Sequence, residues 1–187
     1  MKNKKTIILL VVFLISVSLF IIFSPGSSGN AMQLVSEDFQ EGGFLKSEHV
    51  FEGFGCKGGN KLPQLEVKNL PKDTKSIAIT VYDPDAPTGS GWWHYLAYNI
   101  PADITEIKAE GTNIAGIADF GRNDFGTYNY GGPCPPQGHG KHHYIFTAYA
   151  LNVEKLDLPK DASAALIGYN LNANTIEKAS ITALYER

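Results

Sequence analysis

Three strand-forming runs, separated by segments rich in glycine and proline, constrain the fold of this chain more than any other feature. Residues 76–82 alternate branched apolar side chains with small or polar ones. Residues 92–100 are rich in aromatic side chains, and residues 143–151 form a third run of apolar and aromatic residues. Short runs of β-branched and aromatic residues are typical of strands, whereas glycine and proline clusters mark turns. The middle of the chain is therefore predicted to form a sheet.

Helix-forming patterns are confined to the C-terminal part of the chain. Residues 159–168 begin with a proline, contain several alanines and end with a glycine, which predicts a helix. Residues 174–178 predict a second short helix, and residues 180–185 alternate in the manner of a final strand. Many strands followed by few helices predict a mainly β fold, a β-sandwich of two antiparallel sheets with small peripheral and C-terminal helices.

The longest loop, residues 111–141, is too long for a simple connection in a compact domain, since loops of this length are usually functional or disordered. It contains four aromatic side chains: Phe120, Phe125, Tyr128 and Tyr130. Aromatic rings bury large apolar areas, so we expect this loop to be packed against the domain rather than disordered.

The N-terminal segment differs in character from the rest of the chain. Lys2, Lys4 and Lys5 precede an apolar run over residues 7–23, and residues 24–31 are small or helix-breaking. A basic start followed by an apolar run is typical of an export signal. The small residues suit cleavage of a signal peptide, whereas the length of the run, near the lower limit for a spanning helix, suits a retained membrane anchor.

Both alternatives place the rest of the chain on the same side of the membrane, because the lysines precede the apolar run and positive charge stays in the cytoplasm. We therefore expect residues 1–31 to be a signal peptide or anchor plus linker, and residues 32–187 to form one domain. That domain is predicted to be extracytoplasmic: periplasmic, secreted or anchored facing outward. It would contact a membrane only through the N-terminal segment.

The charge of this domain argues against one class of partner. Three of the 16 basic residues precede residue 32, which leaves 13 basic against 19 acidic residues and a formal charge of −6. Phosphate backbones are bound by clustered lysine and arginine, and no basic run follows the N-terminal lysines. We therefore predict no nucleic-acid binding.

Two cysteines, Cys56 and Cys134, lie in the exported part of the chain. An oxidising compartment allows them to pair, and a disulfide is predicted. Spacing along the chain does not decide the matter, since the two Cα atoms must lie within about 7 Å. The alternative is two separate thiols, one of them buried.

Two carboxylates follow directly on the first predicted strand, in the segment Asp83-Pro-Asp-Ala-Pro87. Each proline fixes its own φ and restricts the residue before it to extended conformations, so the segment is stiff. A stiff loop at a strand end holds Asp83 and Asp85 at defined positions. One interpretation is a rigid turn whose aspartates accept backbone N–H groups, and the other is part of a binding site.

Histidines supply the second polar element. His94 lies near the start of the next strand, whereas His139, His142 and His143 follow a segment rich in glycine and proline. Glycine lets backbone N–H groups approach a ligand, and histidine can donate to an anion near neutral pH. The three clustered histidines could bind a metal with Asp83, but the spacing matches no zinc signature. Consecutive His142 and His143 would also point to opposite faces of a strand, so no metal site is predicted.

Taken together and in order, these segments resemble the phosphatidylethanolamine-binding protein family, which includes the Raf kinase inhibitor proteins. The branch that they resemble is the bacterial and archaeal one, and the likeness extends from about Gln33 to Arg187. The segments that carry it are Tyr82-Asp-Pro-Asp-Ala-Pro87, Gly91-Trp-Trp-His-Tyr95, Arg122-Asn-Asp-Phe-Gly126, Gly131-Gly-Pro-Cys-Pro-Pro and His142-His-Tyr144.

The resemblance implies a β-sandwich with an anion pocket at one end. It assigns to ligand binding Asp83, Asp85, Pro87, Trp92, His94, Gly132, Pro133, His142 and Tyr144. The chain departs from the family at Val67, where relatives usually carry tryptophan and where a packing role is expected. It also departs in its export signal, which argues against a role on cytosolic kinases.

These features predict an exported ligand-binding protein that is not an enzyme and needs no cofactor. The expected ligand is a small anion: a phosphate, a phosphorylated metabolite or a phospholipid headgroup. Hydrogen bonds from His94, from His142 and from backbone N–H groups of the glycine loop would hold it. Inhibition of a kinase or protease through protein contact is one alternative. Weak hydrolysis is another, with Thr88, Ser90 or an unpaired Cys134 as the nucleophile.

Overall fold

Two β-sheets pack face to face in the computed structural model of the protein, which describes residues 30–187. Its strands, in chain order, are β1 (Gln33–Val35), β2 (Gly43–Phe44), β3 (Glu52–Gly53), β4 (Cys56–Lys57), β5 (Leu65–Lys68), β6 (Ser76–Asp83), β7 (Trp92–Pro101), β8 (Glu106–Ile107), β9 (Asp119–Phe120), β10 (His142–Leu151) and β11 (Thr175–Tyr185). One α-helix, α1 (Ala164–Asn174), and two short 3-10 helices, Ser47–His49 and Ala109–Gly111, complete the regular structure of these residues.

The larger sheet has six strands in the order β2-β11-β10-β6-β7-β9, and the smaller sheet has three in the order β1-β5-β8. Neighbouring strands are antiparallel except β2 and β11, which are parallel. Strands β3 and β4 form a separate antiparallel hairpin. The predicted β-sandwich is therefore confirmed, with one parallel pair at an edge of the larger sheet.

Because successive side chains of β6 point to opposite faces, the larger sheet carries apolar side chains on both faces. Ile77, Ile79 and Val81 are buried in the core between the two sheets. Ala78 points the other way, into a second core where Ile167 of α1 covers the sheet. Successive side chains of a strand point to opposite faces, so one sequence run supplies both cores. Both cores are formed within residues 32–187.

Helix α1 begins and ends later than predicted. Ser163 caps its start, because the Oγ atom accepts the N–H of Leu166 at 3.2 Å. The helix continues through Gly168, which the sequence suggested as its end, and buries Ile167 and Leu171 against the larger sheet. Burial of these side chains outweighs the cost of about 1 kcal/mol for a glycine inside a helix.

The predicted second helix over residues 174–178 is wrong, because β11 begins at Thr175. Within this stretch Glu177 pairs with Ala150 of β10. Pairing along the whole of β10 decides the conformation against a weak local helix pattern. The predicted final strand is confirmed and starts earlier than expected.

The loop over residues 111–141 is packed against the domain, as predicted. Ile114, Asn123 and Tyr130 are buried. Phe120 lies in β9, which adds an edge strand to the larger sheet. A loop that buries this many side chains can hold functional groups in fixed positions.

The predicted signal peptide or anchor with its linker covers residues 1–31, of which residues 1–29 lie outside the described residues. The choice between a cleaved signal peptide and a retained anchor therefore stays a prediction. Within residues 30–187, no helix combines the length and apolar character needed to cross a membrane.

Candidate functional site

Strand pairing brings the three polar segments to one edge of the larger sheet. Asp83, the last residue of β6, pairs with Trp92, the first residue of β7. Strand β10 starts at His142 and is antiparallel to β6, so its first residues lie beside the last residues of β6. The end of β6 and the starts of β7 and β10 therefore meet at one cavity of about 180 Å³.

Most residues that the resemblance assigned to ligand binding line this cavity: Asp83, Pro87, Trp92, His94, His142 and Tyr144. The sequence named Thr88 and Cys134 only as candidate nucleophiles. It did not assign to ligand binding any of the remaining lining residues: Phe54, Ala86, Thr88, Phe125, Cys134, Pro135 and Pro136. Asp85, Gly132 and Pro133, which the resemblance also assigned, do not line the cavity. Val67, the departure from the family pattern, lies in the core between the sheets, in keeping with its expected packing role.

Asp83 and His142 form a buried pair at the cavity. The Nδ1–H of His142 donates to Oδ2 of Asp83 at 2.7 Å, and both side chains are almost fully buried. The second carboxylate oxygen, Oδ1, accepts the backbone N–H of Asp85 at 2.8 Å. Asp83 thus combines the two interpretations of its segment, because it accepts a backbone N–H and lines the cavity as well.

The other ring nitrogen of His142 is already occupied. Its Nε2 atom lies 2.8 Å from Nδ1 of His139, an exposed residue of the loop before β10. The expectation that this nitrogen is free to donate to a ligand is therefore wrong for the structure as it stands. A ligand can reach it only by replacing His139.

His94 faces the cavity as a neutral ring. Its Nδ1–H donates to the carbonyl oxygen of Gly131 at 2.5 Å. Burial lowers the pKa of His94 to about 4, against the opposing effects of the Gly131 carbonyl and of Asp83. At neutral pH the ring is uncharged, so His94 does not supply the charged donor that the sequence suggested.

The glycine loop, Gly131 and Gly132, positions the cavity wall, but its N–H groups donate to other groups of the protein. The Gly131 N–H donates to the carbonyl oxygen of His94 at 3.0 Å, and the Gly132 N–H donates to Oδ1 of Asn60 at 2.8 Å. A side chain at Gly132 would overlap the backbone of His49, so this position requires glycine. The expected donation from these N–H groups to a ligand is not available in this arrangement.

Asp85 points away from the cavity and bonds His143. The Nδ1–H and backbone N–H of His143 both donate to Oδ2 of Asp85, at 2.7 and 2.8 Å. Partial burial acts to raise the pKa of Asp85, but these hydrogen bonds outweigh it and lower the pKa below its ordinary value. His142 and His143 thus point to opposite faces of β10, as predicted.

An aromatic cluster forms one rim of the cavity. The ring centroids of Phe54 and Phe125 are 5.9 Å apart in a stacked arrangement, and Phe51 lies 4.4 Å from Phe125. Phe54 is 68% exposed and has a φ of 53°, an unusual conformation for a bulky residue. Phe125 belongs to one of the segments that carried the family resemblance. That resemblance was the sequence signal that could have indicated this rim.

A disulfide joins the two walls of the cavity. Cys56 of β4 is bonded to Cys134, with a distance of 6.0 Å between their Cα atoms. The predicted pairing is therefore present, and it ties the hairpin that carries Phe54 to the loop that lines the cavity. Cross-links of this kind restrict the unfolded chain and hold adjacent segments together.

Two further side chains of the cavity carry hydrogen-bond donors without a protein partner. Trp92 has a buried Nε1–H that no described group accepts. Burial raises the pKa of Tyr144 well above its usual range, so its phenol stays protonated and can donate. Among residues 30–187, no group of three or more histidine, cysteine or acidic side chains is arranged to hold a metal ion.

Comparison with known proteins now identifies the family. The profile of the phosphatidylethanolamine-binding protein family matches residues 35–186. The chain belongs to the phosphatidylethanolamine-binding protein family. Among the relatives of this family member, the UPF0098 protein YbcL of Escherichia coli (strain K12) is 49% identical over 172 residues, which cover 89% of this chain and 93% of YbcL. The UPF0098 protein YbhB of the same organism is 42% identical over 158 residues, or 82% of this chain and 99% of YbhB.

Solved structures agree with this assignment to the phosphatidylethanolamine-binding proteins. The crystal structure of Escherichia coli YbcL, a member of the same family, matches with a TM-score of 0.80 and 49% identity over 83% of this chain and 98% of that chain. A phosphatidylethanolamine-binding protein homologue from Chlamydia trachomatis, CT736, matches with a TM-score of 0.73 and 30% identity over 84% of this chain and 99% of that chain. The predicted fold and family are thus confirmed.

Proposed function

We propose that this family member is a binding protein that holds a small oxyanion, such as a phosphate or a phosphorylated metabolite, outside the cytoplasm. The observation that carries the proposal is the buried Asp83–His142 pair in a cavity that also presents His94 and Tyr144. A few polar groups converging in a mostly apolar cavity are typical of small-molecule sites. A buried carboxylate–histidine pair that lines a cavity is a candidate for recognition of a polar ligand.

The size of the cavity supports a small ligand. Its volume of about 180 Å³ is below the range of about 300–1,000 Å³ that is usual for drug-sized ligands. A phosphate group fits such a space, and the organic part of a larger ligand would extend past Phe54 and Phe125 at the rim. The exposed ring of Phe54 offers an apolar surface to that part.

The donors of the cavity suit oxyanion recognition. Tyr144 can donate its O–H. His142 holds one ring proton against Asp83, so it can donate from Nε2 only as an imidazolium and once a ligand replaces His139. Hydrogen bonds to an anionic acceptor are stronger than those between neutral groups, and they contribute about 1.5–3 kcal/mol each.

Binding fits the cavity better than catalysis. A hydrolase needs a nucleophile beside a base, and Cys134 is bonded to Cys56. The hydroxyl of Thr88 donates to the carbonyl oxygen of Gly91 rather than to a histidine. These two bonds engage two of the three candidate nucleophiles, and the third, Ser90, is not among the residues that line the cavity.

The proposed location follows from the N-terminal lysines and the apolar run after them. The Cys56–Cys134 disulfide supports it, because such bonds persist in oxidising compartments and are rare in the cytosol.

Calorimetric titration tests the proposed function. Residues 32–187, which contain both cores, would be titrated with inorganic phosphate, phosphoethanolamine and a short-chain phospholipid. We expect saturable binding of at least one phosphate compound, weakened tenfold or more by His142→Ala or His94→Ala. The matched control is His143→Ala, which removes a neighbouring histidine outside the cavity and should change affinity less than twofold. Equal binding by the wild type and the His142→Ala variant would show that the cavity is not the site.

A further inference from the structure

A second cavity, of about 430 Å³, shares no lining residue with the cavity of the proposed function. It is bordered by the segment before β5, by the 3-10 helix Ala109–Gly111, by Tyr95 of β7 and by the long loop with its strand β9. Its volume falls within the range of about 300–1,000 Å³ that is usual for small-molecule sites. The second cavity is therefore large enough to hold an organic ligand of its own.

Tyr95 presents a hydroxyl without a protein partner to the second cavity. The residue is only 4% exposed, and the ring centroids of Phe120 and Tyr130 lie 6.1 and 6.3 Å from its own. No group of residues 30–187 forms a hydrogen bond with its hydroxyl, and burial raises its pKa well above the usual range, so the phenol stays protonated. Buried polar groups are nearly always hydrogen-bonded. The partner of this hydroxyl must therefore enter the cavity from outside the chain, as water or as part of a ligand.

The backbone keeps the space beside this hydroxyl open. Gly111 has a φ of 64°, and a Cβ atom added there would lie 3.2 Å from the hydroxyl oxygen of Tyr95. Glu110 also has a φ of 64°, which is unusual for a residue with a side chain, and its N–H donates to the carbonyl oxygen of Leu62 at 3.0 Å. Strained conformations of this kind are concentrated at functional sites. The turn thus leaves room for a ligand beside Tyr95 and places the Glu110 carboxylate in the lining.

The polar groups of the lining favour a neutral ligand. Lys61 and Glu110 are the only charged residues among the described ones that line the second cavity, and their Nζ and Oε1 atoms lie 3.6 Å apart. Their charges therefore cancel. Asn129 also lines the cavity, and its side-chain amide, which can both donate and accept, is bonded to no group within residues 30–187. A matching ligand is uncharged and carries groups that donate as well as accept.

Aromatic rings supply the apolar part of the lining. Phe120 and Tyr130 flank Tyr95, whereas Tyr128 is 40% exposed. The face of an aromatic ring carries partial negative charge and attracts C–H groups. A sugar ring combines a face of C–H groups with hydroxyls at its edge that both donate and accept. A saccharide therefore matches the aromatic and the polar groups together, whereas a purely apolar ligand would leave the Tyr95 hydroxyl unpaired.

We propose that the second cavity binds a neutral saccharide. One face of a sugar ring would pack on Tyr128, while its hydroxyls exchange hydrogen bonds with Tyr95, with Asn129 and with the Glu110 carboxylate. A free sugar and the end of a longer glycan share this chemistry. The inference goes beyond the proposed function and does not depend on it, because the two cavities are lined by different residues.

NMR titration of isotope-labelled residues 32–187 tests the inference, because it detects weak binding and locates the ligand. The probes are glucose, maltose, N-acetylglucosamine and di-N-acetylchitobiose. We expect saturable shifts of the Asn129 side-chain amide signals with at least one of them. Equal affinity for a sugar and its dimer supports a free sugar as the ligand, whereas about fivefold tighter binding of the dimer supports a glycan. The absence of saturable shifts with all of these probes would overturn the inference.

Tyr95→Phe removes the hydroxyl and keeps the ring. We expect saccharide affinity to fall about fivefold, with no loss of stability, since the hydroxyl has no partner within the described chain. Tyr98→Phe is the matched control: Tyr98 lies on the same strand, is 5% exposed and also lacks a hydrogen-bond partner among residues 30–187, but it belongs to the core under α1 and does not line the second cavity. Its affinity should change less than about twofold. Equal affinities of the wild type and Tyr95→Phe would contradict the inference.

A pair of variants at Tyr128 tests the packing of the sugar ring. Tyr128→Ala should weaken saccharide binding about tenfold, whereas Tyr128→Phe keeps the aromatic face and should restore most of the affinity. The side chain is 40% exposed, so neither change should disturb the fold. Weak binding by both variants alike would show that the ring face does not hold the ligand and would overturn the inference.

Two further measurements show which cavity the saccharide occupies and whether a sugar is the right class of ligand. His142→Ala should leave saccharide affinity unchanged, because His142 does not line the second cavity. Loss of saccharide binding in this variant would place the sugar in the first cavity and overturn the inference. A capped, neutral alanine tripeptide that bound the second cavity more tightly than every saccharide would identify a peptide site instead. Neither result would bear on phosphate binding, which the calorimetric titration tests separately.

Discussion

Two aspartate–histidine pairs of the same geometry stand side by side at this sheet edge in opposite environments. In both, Nδ1 of the histidine lies 2.7 Å from Oδ2 of the aspartate. The side chains of His142 and Asp83 are 2% and 4% exposed, whereas those of His143 and Asp85 are 53% and 39% exposed. The histidines are consecutive in sequence, and strand alternation sends one into the cavity and the other to solvent.

The comparison shows that burial rather than hydrogen-bond geometry distinguishes the pair that lines the cavity from the pair at the surface. Water and salt screen the outer pair, and such pairs contribute little to stability. The inner pair is shielded, so loss of either partner leaves a buried polar group without compensation. The same two residue types can thus serve recognition on one face of β10 and a rigid turn on the other.

The largest expected effect is on stability when each aspartate is removed. We expect Asp83→Ala to lower the free energy of unfolding by about 3–5 kcal/mol, because it leaves His142 buried and unpaired. Asp85→Ala should cost at most about 1 kcal/mol. Urea denaturation of the two variants measures both values. Similar losses in the two variants would mean that burial does not separate the pairs.

Much of this site could be predicted from the sequence, because its segments are local. The prolines around Asp83 fix a stiff strand end, and alternation along β10 assigns His142 and His143 to opposite faces. The alternating pattern of β6 likewise indicated the sandwich. These features depend only on neighbours in the chain.

The hydrogen-bond roles of the site could not be predicted, because they depend on partners far apart in sequence. The tautomer of His94 follows from the Gly131 carbonyl, and the Gly132 N–H is occupied by Asn60. His139 covers the second nitrogen of His142 from a loop whose path the sequence did not indicate. The error over residues 174–178 has the same origin, since pairing with β10 decided a locally ambiguous segment.

A second prediction compares how stability depends on pH through the buried His94 and through the exposed His143. Burial holds the pKa of His94 at about 4, below its ordinary value of 6.5. As pH falls, the unfolded chain therefore binds a proton at this position first, so stability is lost from about pH 6.5 down to about pH 4. The shift corresponds to about 3 kcal/mol.

Unfolding of the wild type and of His94→Gln over this pH range isolates the effect, because other titrating groups are common to both proteins. We expect the wild type to lose about 3 kcal/mol more than the variant between about pH 7 and pH 4. His143→Gln should follow the wild type closely. Parallel curves for the wild type and His94→Gln would indicate that His94 is not held neutral by burial.

The smallest expected effect is the response of the outer pair to salt and acid. The contribution of Asp85 should be at most about 1 kcal/mol at low salt and should decline as the ionic strength approaches about 1 M, where screening extends over only about 3 Å. Since hydrogen bonds from His143 hold the pKa of Asp85 below its ordinary value, this contribution is present above that value and is lost as pH falls through the lowered one. The stability difference between the wild type and Asp85→Asn, measured across salt and pH, reports it directly.

The corresponding difference for Asp83→Asn should persist in high salt, because its partner lies in the interior where counterions do not reach. If salt reduced both differences equally, the two pairs would share one environment and the contrast between them would be lost.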